Sequence, residues 1–210
     1  MDVFGDQWKD HFTRICADWE KRVGREDVVL LPGDLSWAMT LEEALPHIRA
    51  VGALPGRKII LKGNHDYWWS SISRVRAALP ADMYAIQNDA LALGGALFCG
   101  TRLWTIPGAD TPEEDTRVYQ RELLRLEMTL KAARRLSEDA PLYGMTHFPP
   151  LTEGQTENEA TRLLSRYGVR DLFYGHLHGQ SLKNAVSGEI GGVRYHPVSC
   201  DGLGFSLFQL

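Results

Sequence analysis

Apolar residues along this chain alternate between two spacings. Trp8, Phe12, Ile15, Trp19 and Val23 recur at three- and four-residue steps, which predicts an amphipathic helix halted at Gly24. Residues 28–31 form an unbroken apolar run, the signature of a strand covered on both faces. A helix is predicted over 41–51, with Thr40 as N-cap, Glu43 at the capping-box position and Pro46 as a source of a kink. Residues 59–61 read as the next strand, and 68–79 as a helix ended by Pro80.

Further strands are predicted at 83–86, 96–99 and 102–104, set apart by Gly94-Gly95 and Gly100. The longest helix spans 112–137, with Pro112 suited to its first turn. Its alternating charges, among them Arg121, Glu122, Arg125 and Glu127, read as a solvated face. Short strands at 142–145 and 172–174 flank a helix over 157–167, and strands return at 193–198 and 205–208. Strands and helices alternate early and late, which predicts an α/β layered fold.

Composition adds bounds. At 210 residues the expectation is one domain with a substantial core, and 44% apolar with 24% charged residues is ordinary for a globular chain. A net charge of −4 disfavours broad nucleic-acid binding, although bound cations could still serve a phosphate substrate. No apolar stretch approaches a membrane span, and the first thirty residues lack the apolar core of a signal peptide. Cys16, Cys99 and Cys200 are odd in number and widely spaced, so buried free thiols and a cytoplasmic location are expected.

The candidate chemistry sits where apolar runs end. Gly33-Asp34, Gly63-Asn64-His65-Asp66, His147 and Gly175-His176-Leu177-His178 each follow such a run. Asp34, Asn64, His147, His176 and His178 together supply a carboxylate, an amide oxygen and three imidazoles. That set suits Mn²⁺, Fe, Zn²⁺ or Ni²⁺ and is too rich in nitrogen for Ca²⁺. Four of the seven histidines fall at these strand ends.

These four segments, in this order, resemble the calcineurin-like metallophosphoesterases. The family pattern is Asp-x-His, Gly-Asp, Gly-Asn-His-Asp/Glu, a lone His, then Gly-His-x-His. The resemblance implies a two-layer β-sandwich flanked by helices, with two divalent metals at the strand C-terminal ends. It implies an enzyme, a phosphoric ester hydrolase acting on a phosphomonoester or phosphodiester by a metal-bound hydroxide. By position, Asp34 would bridge both metals, Asn64, His147 and His176 would complete the second, and His178 would bind the first. His65 would protonate the leaving oxygen, with Asp66 orienting its ring. Arg102, Trp37 and Trp68 are candidates for substrate contact, and a small phosphoester is the expected partner. His11, His47 and His196 fit no ligand spacing and read as structural.

The family's first motif has no counterpart. Asp10-His11 lacks the intervening residue, and neither Asp2 nor Asp6 has a histidine two positions on. The expectation is a chain truncated at its start relative to the family, short of the first strand, with a weakened first metal site. The alternative reading is a catalytically impaired metal- or phosphate-binding protein.

Overall fold

The computed structural model describes residues 5–210; Asp2 lies outside them. Two sheets form its centre. The first has three parallel strands in the order β1 (Val28–Leu31), β2 (Arg57–Leu61), β3 (Met83–Ile86). The second has six, in the order β4 (Ala90–Leu93), β5 (Ala96–Thr101), β6 (Leu142–Thr146), β7 (Val169–Tyr174), β9 (Val193–Pro197), β8 (Gly188–Ile190). Within it β5, β6, β7 and β9 run parallel, while β4 and β8 are antiparallel edges.

Strand periodicity builds the layers. Ile59 and Leu61 of β2 pack with Ile86, Phe98 and Met145 between the sheets. Burying each such side chain is worth about 1.5–3 kcal/mol. Ile60 points the other way, into a core with Trp19 of α1 (His11–Arg22), Ala44 and Ile48 of α2 (Leu41–Gly52) and Val75 of α3 (Ile72–Ala78). On the far side, Leu97, Leu142 and Leu172 pack against Leu123, Leu126 and Leu130 of α4 (Glu113–Leu136) and Leu164 of α5 (Glu159–Arg166). The result is the predicted α/β sandwich of two sheets flanked by helices.

Most predicted elements form. Thr40 and Glu43 make both halves of the capping box, and α2 runs on through Pro46. Buried Lys58 reaches the end of that helix, where its ammonium donates to the carbonyls of Gly52, Leu54 and Gly56.

Four expectations are corrected. Trp8 lies in a separate 3-10 turn (Asp6–Trp8), because Asp10, with φ 54°, breaks the chain direction before α1. The helix expected from 68 starts at Ile72, capped by Ser71, because Trp68 and Trp69 are held in the preceding turn. Residues 102–104 form no strand: Leu103 has φ 60°, and the Arg102 carbonyl accepts the amides of His147 and Phe148. Residues 205–208 form no strand either, since Phe205 has φ 62° and the segment is tied to α1. There Arg14 donates to Gly204 O at 3.1 Å, Arg22 to Leu207 O at 2.7 Å, and Leu207 N to Asp18 at 2.7 Å. Phe208 then lies on His196, with ring centroids 4.8 Å apart.

Candidate metal centre

Parallel strands deliver their following loops to one rim, which is where open α/β sheets gather ligands. The loops after β1, β2, β6 and β7 carry Asp34, Asn64, His147 and His176 to that rim. His147 Nε2 lies 2.6 Å from Asn64 Oδ1 and 3.5 Å from Asp34 Oδ2. His176 Nδ1 lies 3.1 Å from the same amide oxygen and 3.3 Å from His147 Nε2. Side chains 112 residues apart in sequence, Asn64 and His176, thus meet at one point.

Two of the four sit on strained backbone: Asp34 has φ 60° and His176 φ 69°. Such conformations concentrate at functional sites. The turns beneath them are nested. A Cβ on Gly33 would lie 2.6 Å from His147 Nδ1 and 2.7 Å from Gly63 Cα, so a side chain is excluded there. Gly63 faces Asp34 just as closely.

Asp66 locks the turns together. It is wholly buried, and its carboxylate accepts Gly63 N at 2.7 Å, Asp34 N at 2.8 Å, Ser36 N at 3.1 Å and Trp68 Nε1 at 3.0 Å. Burial pushes its pKa up against the pull of those amides. The expected pairing of Asp66 with the His65 ring is therefore corrected, because both oxygens are committed to the turns beneath it. His65 instead stacks on Trp37, ring centroids 4.6 Å apart, with Nδ1 2.9 Å from the Tyr67 hydroxyl. Its amide donates to Asp34 Oδ1 at 2.8 Å, which leaves Oδ2 facing His147.

The electrostatics favour uncharged imidazoles. Burial lowers the pKa of His147, although Asp34 works against the shift. Burial and then His147 push His176 down to about 4. With Nδ1–H of His147 donated to Pro32 O at 2.9 Å, its Nε2 presents a lone pair to the oxygens of Asn64 and Asp34. Converging lone pairs repel unless a cation lies between them. Ligands about 2.0–2.2 Å from one ion stand roughly 3 Å from each other; the 3.1, 3.3 and 3.5 Å separations match that spacing, and the 2.6 Å between His147 Nε2 and Asn64 Oδ1 is shorter than it. The donor set therefore fits a divalent ion, with an amide oxygen as one member. Among the described residues, no group of three or more His, Cys, Asp or Glu side chains is placed to hold a metal ion.

His178 stands beside this contact group, near enough for its charge to disfavour protonation of His147 and His176. Its Nδ1 is held by Asp201 at 2.7 Å, and Asp201 also accepts Gly179 N at 2.8 Å. Trp8 meets the His178 ring edge-on at 5.4 Å. Asp201 was not legible in the sequence, because it lies in a Gly- and Ser-containing stretch without period. Trp68 is corrected from substrate contact to core: it is 1% exposed and donates to Ser36 O and Asp66. Trp37 is exposed at the site, and Arg102 lines a cavity beside it. His11, His47 and His196 bond to Trp8 O, Ser36 and Asp171 respectively, in keeping with structural roles.

The protein is thus a helix-flanked double sheet with oxygen and imidazole donors gathered at its rim. The family model of calcineurin-like phosphoesterases matches residues 6–180, and the chain belongs to that family. A 60-residue stretch is 40% identical to the Gene 66 protein of Mycobacterium phage D29, covering 27% of this chain and 28% of that protein. The chain thus matches little more than a quarter of that relative's length. A solved structure of a protein of unknown function from Aquifex aeolicus aligns over 94% of this chain and 80% of its own, at 13% identity and a TM-score of 0.46. Among the described residues, no helix is long and apolar enough to cross a membrane.

Proposed function

We propose that this chain hydrolyses a phosphomonoester or phosphodiester of a small substrate with the help of divalent cations. The observation that carries the reading is the meeting of Asp34, Asn64, His147 and His176 within 3.5 Å contacts at the strand ends. Those four would hold one ion, and Asp34 with His178 would supply the protein ligands of a second, weaker one. Bound divalent ions supply positive charge for the phosphoryl oxygens and an acidified water. His65, fixed between Trp37 and the Tyr67 hydroxyl, donates the proton that the departing oxygen needs. Trp37 offers the exposed aromatic face against which an organic leaving group can lie. Three free thiols, Cys16, Cys99 and Cys200, support a reducing, cytoplasmic setting.

The test is turnover of p-nitrophenyl phosphate and bis-p-nitrophenyl phosphate with Mn²⁺, alongside elemental analysis of bound metal. Activity that chelation abolishes is expected. His65→Gln should lower kcat by about 10²–10⁴ with metal content unchanged, while Asp34→Asn should lose metal. Bound metal without turnover of either ester would favour the non-catalytic binder. Loss of metal in His65→Gln would overturn the assignment of that side chain.

A further inference from the structure

Beside the proposed metal centre, at the same rim, lies a cavity of about 200 Å³. Leu61 and Ile86 at the ends of β2 and β3 form apolar wall, and Lys62, Arg102, Arg125 and Glu122 bring charge into it. Two of these residues are tied to the centre by backbone. Lys62 opens the turn that carries Asn64, and the Arg102 carbonyl accepts His147 N at 3.1 Å.

Three cations here face one carboxylate, and that carboxylate is already engaged. Glu122 is 1% exposed, accepting Thr101 Oγ1 at 2.8 Å and Arg125 at 2.6 Å. Arg102 approaches it only to 3.9 Å. The Arg102 guanidinium lies 4.5 Å over the Trp104 ring, and among the described residues its side chain makes no hydrogen bond. Lys62 makes one, to Trp69 O at 3.1 Å. The Arg102 guanidinium and the remaining ammonium hydrogens of Lys62 therefore line the cavity with donors that these contacts leave unmatched. Like charges confined in a half-buried recess repel each other, and an anion entering it relieves both the repulsion and the unmet donors.

We infer that this cavity is a subsite for a second, non-reacting anionic group, phosphate or carboxylate, on the same molecule as the scissile phosphoester. The inference rests on the phosphoesterase reading for the position of the first phosphate. It narrows the substrate class to compounds bearing two separate anionic groups, such as bisphosphates and phosphorylated acids. Arg102 stacks on Trp104 as the rigid fork, while Lys62 and Arg125 complete the cradle from the turn and from α4.

Non-hydrolysable ligands separate this claim from catalysis. Calorimetric titration of the full chain in Mn²⁺ would compare methylphosphonate with alkylene diphosphonates and phosphonocarboxylates of increasing chain length. At least one length is expected to bind ten-fold or more tightly than methylphosphonate, and the better end group identifies phosphate or carboxylate. That gain should shrink several-fold in Lys62→Met and in Arg125→Gln. No gain at any length, or a gain undiminished in both variants, overturns the subsite. Failure of the phosphoesterase reading would appear elsewhere, as absent turnover of p-nitrophenyl phosphate by protein that still shows the gain.

Discussion

Asp66 sets the position of the turns that bear Asp34 and Asn64. Its two oxygens satisfy four donors from two turns in a site with no water access. An asparagine there would turn an NH₂ toward at least one of those N–H groups. Asp66→Asn is expected to lower the unfolding free energy by about 1–3 kcal/mol and to weaken Mn²⁺ binding, as read by denaturant titration and calorimetry. Unaltered stability would show that the buried carboxylate is not the tie. Sequence alone made the ligand candidates visible, because Asp34, Asn64, His147 and His176 each stand where an apolar run stops. It could not reveal what Asp66 touches, since the neighbour in sequence, His65, turns outward as Asp66 turns in. Glu122 was hidden for a related reason: among alternating charges on a long helix, nothing marks the one that faces Thr101.

At the level of elements, the turns after β1 and β2 matter most. They nest so closely that a methyl group on Gly63 would strike the backbone and carboxylate of Asp34. Gly63→Ala should therefore displace Asp34 without removing any donor. Overpacking of this kind costs about 1–3 kcal/mol, and Mn²⁺ affinity should fall while circular dichroism stays native. Wild-type metal binding by that variant would mean the turns can part freely. Helices with strong start signals, such as the Thr40–Glu43 box, were legible because capping chemistry is local. β4 was not, since Ala-Leu alternation across only four residues carries little strand signal. Residues 102–104 misled because the Arg102 carbonyl serves the neighbouring His147 turn instead of a ladder.

Across the whole molecule, the layering could be anticipated and the strand order could not. Periodicity says which face of a strand is buried, but not that β9 inserts between β7 and β8. Nor does it show that Asp171 of β7 would be wholly buried under Arg194 and His196 of β9. Burial alone would raise the Asp171 pKa, but its bonds to Arg194 and His196 outweigh that and hold it below the usual value. A carboxylate whose folded pKa is depressed contributes stability above its unfolded value, about 3.9, and the contribution is lost as pH falls through the lower folded value. The melting temperature of the wild type should accordingly drop on acidification below about pH 4. In Asp171→Asn it should be lower at pH 7 and change less over that acid range. Parallel acid profiles for the two proteins would assign the effect to other carboxylates.

The chain's last turn also reaches further than its position suggests. Asp201 steadies His178, and the residues after it strap α1 to the larger sheet through Arg14, Arg22 and Phe208. A purification tag fused tightly at Leu210, or a protease nick just beyond Pro197, would slacken that strap. The imidazole would then swing without its guide, so handling choices made at the far terminus would be felt at the rim where ions are expected to gather.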